Sequence, residues 1–200
     1  MNRKLLLPIA LMIVFALTRI PGMLPPGFSA AYALVFCAGV YFGGRMGWWL
    51  PLSAMLITDI GLNVFVYHTA PVSGFTFVSL LLYAAIIALG RLFKPKMSWL
   101  ALVGGGLLGA LLFYLITNTL SWLGEPAYAK TLAGWIQALT QGLPGYPPTW
   151  EFFRNTLLSG GLFTGLFVGA MKCLEVAEEA KEDAPEPEAE PEAKPEEAKA

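Results

Sequence analysis

Residues 149–171 read TWEFFRNTLLSGGLFTGLFVGAM, an apolar run long enough to cross a lipid bilayer as one helix. Gly161, Gly165 and Gly169 recur at four-residue spacing, which places all three on one helix face. Inside a membrane, small residues on one face let the backbone of a neighbouring helix approach closely. The segment therefore predicts a membrane-spanning helix that packs through a glycine seam.

The same segment begins with polar residues, among them Arg154 and Asn155. An arginine one turn inside a membrane span is costly unless it meets water, a counter-charge or a ligand. Arg154 is therefore a candidate functional residue. The alternative is that its side chain extends to the lipid headgroups beside Trp150, within an ordinary aromatic belt. These residues alone leave both interpretations open.

The composition of the whole chain indicates a membrane protein. Of 200 residues, 56% are hydrophobic and 14% are charged, and the mean hydropathy is +0.60, which is too apolar for an ordinary soluble domain. Residues 1–173 hold 10 Lys+Arg and 3 Asp+Glu, a net charge of +7, whereas residues 174–200 hold 3 and 11, a net charge of −8. Two regions with different solvents therefore meet near residue 174.

Further apolar segments precede residues 149–171, and together they predict an all-α integral membrane protein, a compact bundle of about six transmembrane helices. The segment at the N-terminus resembles a signal-peptide core, but no small-residue cleavage site follows it, so we expect a retained span, with cleavage as the alternative. The predicted spans before the last one are 1–17, 30–44, 48–67, 75–93 and 99–123.

Two domains follow from this pattern. The bundle is predicted to occupy residues 1–174. Residues 175–200 repeat Glu, Ala, Pro and Lys and cannot bury enough apolar surface to offset the cost of ordering, which predicts a disordered cytoplasmic tail. Before the last span, residues 124–148 form a long connection, and a short helix within residues 127–141 is predicted to cap the outer face.

The distribution of Lys and Arg predicts the orientation of the bundle. With the N-terminus in the cytoplasm, the inner ends of the spans carry Arg3, Lys4, Arg45, Arg91, Lys94, Lys96 and Lys172, and the outer ends carry Arg19, Lys130 and Arg154. Cytoplasmic loops of membrane proteins carry an excess of these residues. The bias therefore predicts that both termini are cytoplasmic and that the long, proline-rich and aromatic loops face outward.

Polar residues on separate helices are predicted to lie at one depth below the outer ends. Asn63, Asn118, Arg154 and Asn155 fall in a layer roughly 6 to 8 Å deep, and Asp59 lies about one turn deeper, within reach of a long Arg154 side chain. We expect these residues to line one outward-facing cavity. The alternative is a set of interhelical hydrogen bonds that only stabilise the bundle.

Aromatic residues above this layer favour the cavity. Trp122, Tyr128 and Trp135 precede or occupy the long outer connection and are predicted to lie near the mouth. Such rings suit a flat, partly apolar organic solute with a few hydrogen-bonding groups, comparable to a vitamin or its precursor. The single histidine, His68, favours neither a metal site nor a hydrolase triad. The chain is thus predicted to be a binding protein without a metal or cofactor, and not an enzyme.

Several blocks of the sequence resemble a known group of proteins. The blocks PLSAMLITDIGL (51–62), LFYLITNTLSW (112–122) and FFRNTLLSG (152–160) resemble an uncharacterised bacterial membrane family usually described as transport proteins. That family is similar to the substrate-binding S components of energy-coupling factor transporters. The resemblance spans about residues 19–171.

The resemblance implies a small six-helix subunit of the bacterial inner membrane. Such a subunit captures a micronutrient from outside and works with a transmembrane coupling subunit and its ATPases. S components often carry Ala-x-x-x-Ala on their first helix for docking to that subunit, whereas Ala10 and Ala16 are six residues apart here. The histidine motif of metal-binding S components does not follow Met1 either, so an organic solute is expected.

Other functions remain open at this point. A structural or assembly protein could use its acidic tail to recruit a soluble partner. An intramembrane enzyme built on Asp59 is a third hypothesis, but no second carboxylate lies at the depth of Asp59. The predicted partners are a small organic solute, the lipid bilayer and a coupling subunit with ATPases, and not a nucleic acid.

Overall fold

The computed structural model describes residues 3–182, which form seven α-helices and no strand. The predicted all-helical fold class is therefore confirmed for this part of the chain. In chain order the helices are α1 (Arg3–Thr18), α2 (Ala31–Tyr41), α3 (Met46–Phe65), α4 (Gly74–Gly90), α5 (Trp99–Gly124), α6 (Leu132–Thr140) and α7 (Thr149–Glu182).

The length and surface of these helices identify a membrane protein. Three helices are long and apolar enough to cross a bilayer: α3, α5 and residues Thr149–Ala177 of α7. α2 and α4 are shorter apolar helices of 11 and 17 residues. Large apolar side chains cover the outside of the bundle, for example Ile57, Leu81 and Leu166, which are 68%, 72% and 61% exposed. Lipid is the solvent that accommodates such a surface.

The central element is α2. Every residue from Ala31 to Val40 is buried, and the helix contacts α1, α3, α4, α5 and α7. A helix that is apolar on all sides has no face for solvent, so it belongs in the middle of a bundle. Its 11 residues span only about 16 Å. The other helices therefore surround a helix shorter than themselves, and the bundle is not filled by α2 beyond its two ends.

Glycines allow α2 and α4 to cross with their backbones in contact. A Cβ atom on Gly39 would lie 2.3 Å from the carbonyl oxygen of Ile87, and one on Gly90 would lie 2.3 Å from that of Phe36. Both distances are shorter than any real carbon–oxygen contact, and both obstacles are backbone atoms. The crossing consequently requires glycine at both positions.

The glycine seam predicted on α7 is present over part of its length. A Cβ atom on Gly161 would contact Leu107 at 3.3 Å, and one on Gly165 would contact the Trp99 ring at 3.0 Å. The Trp99 indole N–H also donates to the carbonyl oxygen of Gly165 at 3.1 Å. Nothing in the described part of the chain lies within 4 Å of a Cβ on Gly169. The seam therefore packs against α5 in its first half only.

The two ends of the bundle differ. Residues 19–30, 66–73 and 125–148 form what we call the loop end, and the short segments 42–45 and 91–98 form the turn end. α6 belongs to the loop end and packs against α5 and α7. Its N-terminus is capped by the Thr131 hydroxyl, which accepts from the Gly134 N–H at 3.2 Å. A short helix in this connection was expected and is confirmed.

The last helix is longer than expected. α7 continues without a break to Glu182, so residues 175–182, which were assigned to the tail, are helical. The remainder of the predicted acidic tail, residues 183–200, lies outside the described residues. The domain boundary predicted at residue 174 therefore coincides with a change in composition and not with a helix end.

Candidate functional site

Three aromatic rings from the central helices meet beneath the loop end. The ring centroids of Tyr32 on α2 and Phe113 on α5 are 5.2 Å apart. Tyr83 on α4 stacks on Phe113 at 5.2 Å with an angle of 10° between the ring planes. We call these three residues the aromatic floor. Both tyrosines are 7% exposed, so most of the surface of their side chains is packed between helices.

Three adjoining cavities surround the aromatic floor. The wide cavity, about 600 Å³, lies between α5, the start of α7 and residues 142–149. The proline-loop cavity, about 380 Å³, lies under residues 20–29. The ion-pair cavity, about 330 Å³, lies between α3 and α4. Neighbouring cavities share floor residues: Tyr32 lines the first two, Tyr83 the last two, and Phe113 the wide and ion-pair cavities.

An ion pair between Arg19 and Asp59 forms one wall of the ion-pair cavity. The Arg19 Nη2 donates to the Asp59 Oδ1, and Arg19 Nη1 donates to the Thr58 hydroxyl at 3.2 Å. The two side chains are 19% and 15% exposed. Since α1 and α3 bring opposite charges together in an apolar bundle, neither is left alone in a poorly solvated environment. Arg19 also lines the proline-loop cavity.

Asp59 and Asn63 lie on the cavity side of α3. Both line the ion-pair cavity. The Asn63 amide donates to the carbonyl oxygen of Pro71 at 3.1 Å, and its backbone carbonyl accepts from the Thr69 N–H at 2.8 Å. Asn63 therefore anchors the loop between α3 and α4 in addition to facing the cavity.

Asn118 and Tyr128 line the wide cavity. The Asn118 amide donates to the carbonyl oxygen of Tyr114 at 2.8 Å, which leaves its oxygen for another donor. Burial and, to a smaller extent, the Glu125 carboxylate raise the pKa of Tyr128 above its ordinary value, which further favours the neutral phenol. Other polar residues of this cavity are Thr117, Ser121, Glu125, Tyr146, Thr149 and Thr156.

Trp122 and Trp135, which were expected near the mouth of the cavity, form hydrogen bonds between α5, α6 and the segment that joins them. The Trp122 indole N–H donates to the carbonyl oxygen of Ala129 at 2.9 Å, and that of Trp135 donates to the Thr119 hydroxyl at 2.9 Å. Neither residue lines the three cavities described above. Both indoles fasten the α5–α6 connection, which positions the wall of the wide cavity without forming it.

Arg154 was expected to line the cavity within reach of Asp59, but it lines none of the three cavities. Arg154 is exposed, lies over the Trp150 ring at 5.2 Å and donates from Nε to the Asn155 Oδ1 at 3.2 Å. On α7 the buried face carries Asn155 and Thr156, whereas Leu158, one turn after Arg154, is 58% exposed. The side chain points out of the bundle because of its rotation about the helix axis.

Asn155 is buried, at 4% exposure, but it does not line the three cavities. Its amide donates to the carbonyl oxygen of Pro26 at 2.9 Å. A Cβ atom on Gly27, which has φ +77°, would lie 3.2 Å from the Phe152 ring. These contacts attach the proline-rich loop to the start of α7, so Asn155 positions the roof of the proline-loop cavity.

The residues that sequence reasoning missed are Arg19 and the aromatic floor. Arg19 had a signal, since it is a cation that follows the first predicted span and Asp59 is the only acidic residue near the middle of a predicted span. Tyr32 and Tyr83 had a weaker sequence signal, because a phenol inside an apolar helix needs a hydrogen-bond partner. Phe113 had none, since nothing distinguishes it from other phenylalanines in the spans.

The chain belongs to a family of unknown function, DUF6580, whose family model matches residues 1–183. The match includes every element of the aromatic floor and its cavities. No match was found among curated proteins or among solved structures.

Proposed function

We propose that this protein is a membrane transport subunit that binds a small organic solute in the cavities around the aromatic floor. The observation that carries the proposal is the position of that floor. Tyr32, Tyr83 and Phe113 come from three central helices, and cavities of about 600, 380 and 330 Å³ adjoin them at one end of the bundle. Solute sites in proteins are of this size and combine apolar walls with a few placed polar groups.

The lining favours an organic solute over an inorganic ion. Aromatic rings provide broad apolar contact, and the hydrogen-bonding groups are dispersed: Asn118 and Tyr128 in one cavity, Asp59 and Asn63 in another. No group of three or more metal-ligating residues occurs in the described part of the chain. A flat, partly apolar micronutrient or precursor fits this distribution of groups.

The proposal includes a topology. The helices α1 to α5 and α7 would be six membrane segments of the bacterial inner membrane, with the loop end outside and both termini in the cytoplasm. α2 is too short to cross the hydrocarbon alone and would lie inside the bundle, where it contacts the other five. Support comes from the cations of the turn end, Arg45, Arg91, Lys94 and Lys96, since cytoplasmic loops are enriched in Lys and Arg. The similarity to S components noted above adds a coupling subunit with ATPases as the proposed partner.

The proposal is tested by identifying the solute that stays bound during purification. The protein is purified in mild detergent, small molecules are extracted from it, and they are identified by mass spectrometry. Asn118→Trp places an indole in the wide cavity, and the matched Ile116→Trp places one on the outer surface of the same helix, where Ile116 is 39% exposed. We expect the parent and Ile116→Trp to retain a solute and Asn118→Trp to lose it. Equal retention by both variants, or no solute in the parent, would refute the proposal.

A further inference from the structure

The Arg19–Asp59 ion pair has hydrogen-bonding groups that no described residue uses. Asp59 uses Oδ1 to accept from Arg19. No described residue donates to its Oδ2, and that atom is not among the fully buried ones. Arg19 donates from Nη1 to Thr58 and Met55 and from Nη2 to Asp59, while its Nε–H has no acceptor among the side chains and backbone groups that the structure describes. The pair therefore offers an anionic acceptor and a cationic donor on one cavity wall.

The two charges already compensate each other. A ligand carboxylate would compete with Asp59 for Arg19, and a ligand ammonium would compete with Arg19 for Asp59. Either would leave one protein charge without its counter-charge in a site where the side chains are 19% and 15% exposed, and removing one partner of such a pair is strongly unfavourable. A neutral ligand that donates to one member and accepts from the other leaves the pair intact.

The same cavity also has an aromatic boundary. Tyr83 and Phe113 stack with an angle of 10° between their planes, and both line the ion-pair cavity with Arg19 and Asp59. Its volume of about 330 Å³ is at the lower limit of solute sites. A planar ring could contact the aromatic side with its face or edge and reach the ion pair with its polar edge.

The geometry points to a neutral, planar heterocycle with a cyclic-amide edge as the ligand class of this cavity. The ring N–H donates to Asp59, and the adjacent carbonyl oxygen accepts from Arg19. This inference rests on the proposed function and specifies its solute. It excludes simple aromatic acids and amines as preferred ligands.

Four probes of similar size test the inference. Carbostyril carries the cyclic-amide edge, N-methylcarbostyril lacks the donor, and naphthoate and naphthylmethylamine carry one full charge each. Binding to the solute-free, detergent-purified full chain is measured by equilibrium dialysis at neutral pH. Since a hydrogen bond to a charged group is at stake, carbostyril should bind roughly tenfold or more tightly than N-methylcarbostyril. It should also bind more tightly than either charged probe.

A double variant separates recognition from folding. Arg19→Met with Asp59→Leu removes both charges and retains side-chain volume, a replacement that buried ion pairs commonly tolerate. The variant should fold, as judged by its thermal unfolding, and should bind carbostyril and its N-methyl derivative equally. Arg154→Ala, which removes an exposed arginine at the same end of the bundle, is the matched control and should keep the parent's preference.

Several outcomes would overturn the inference. They are binding of naphthoate or naphthylmethylamine more tightly than carbostyril, equal binding of carbostyril and its N-methyl derivative by the parent, absence of carbostyril binding, and a double variant that still prefers carbostyril. The solute retained by the parent protein is measured on the purified protein before that solute is removed for the dialysis. If that solute is present while the probes fail, the proposed function stands and only the ligand class is wrong. If the probes fail and no solute is present either, both the ligand class and the proposed function are refuted.

Discussion

The crossing of α2 and α4 should tolerate no side chain at Gly90. In Gly90→Ala the new Cβ would lie 2.3 Å from the carbonyl oxygen of Phe36 and 3.1 Å from the Cα of Gly39. Because these are backbone atoms of the central helix, no rotamer change can relieve the overlap. The helices must separate by about 1 Å, which forfeits roughly a quarter to a half of the dispersion energy of the contacts at the crossing.

The loss of stability can be estimated from other overpacked cores. Substitutions that overpack a core destabilise the fold by about 1–3 kcal/mol, and we expect Gly90→Ala near the upper end of this range because the obstacle is rigid backbone. For a chain of this size, 1 kcal/mol corresponds to about 2–4 °C in Tm. We therefore expect Gly90→Ala to lower the Tm in detergent by roughly 4–12 °C, measured by tryptophan fluorescence. Solute retention should fall too, because the floor residues Tyr32 and Tyr83 lie on the two separated helices.

A matched glycine on α5 provides the control. A Cβ atom on Gly104 would have nothing within 4 Å among the described residues. Gly104→Ala should then leave the Tm unchanged or raise it, because alanine is favoured over glycine inside a helix by about 0.5–1 kcal/mol. A Gly90→Ala protein as stable as Gly104→Ala would show that the two helices do not cross at this distance, and the reasoning would fail.

Three further predictions concern the surface of the bundle, its packing and its orientation. Arg154→Ala should retain the co-purifying solute at the parent level, since Arg154 points away from the cavities; loss of the solute would return this residue to the site. Gly165→Leu should destabilise by about 1–3 kcal/mol in thermal unfolding, because its side chain would displace the Trp99 ring 3.0 Å away; an unchanged Tm would argue against the α5–α7 packing. In a Cys173→Ser background, Lys130→Cys should react with a membrane-impermeant maleimide on intact cells and Lys96→Cys only after permeabilisation; the reverse pattern would invert the proposed topology.

Removal of residues 183–200 distinguishes the transport proposal from tail-based recruitment of a partner. If the cavities bind the solute, the truncated protein should retain it as the full chain does, because every residue of the aromatic floor lies before residue 183. Retention is measured by the same extraction and mass spectrometry. Loss of the solute on truncation, with an unchanged Tm, would assign the function to the tail instead.

Helix positions were predictable because hydropathy is a local property. The predicted spans differ from α1 to α5 by a few residues at each end, and a short helix was expected before the last span. The exception is α7, which continues to Glu182 although its composition changes at residue 174. Glu, Ala and Lys are good helix formers, so a polar segment can extend a helix after its apolar face has ended.

The position of a residue along its helix can be counted from the sequence, but the rotation of the helix about its axis cannot. Asp59, Asn63 and Asn118 line cavities. Arg154 points outward over Trp150. A rise of about 1.5 Å per residue can be counted from a helix end. The angle at which a helix presents its side chains depends on which neighbours it packs against.

The sequence by itself determined that this is a helical membrane protein, where its helices lie and how far into each one its polar residues sit, because these depend on residues close together in the chain. Only the tertiary structure decided that Asp59 pairs with Arg19, 40 residues away, and that Tyr32, Tyr83 and Phe113 share one floor. Those contacts arise from the packing of four helices around the buried α2. In an almost uniformly apolar chain, many arrangements bury similar surface, and glycine contacts such as Gly39 with Gly90 select among them.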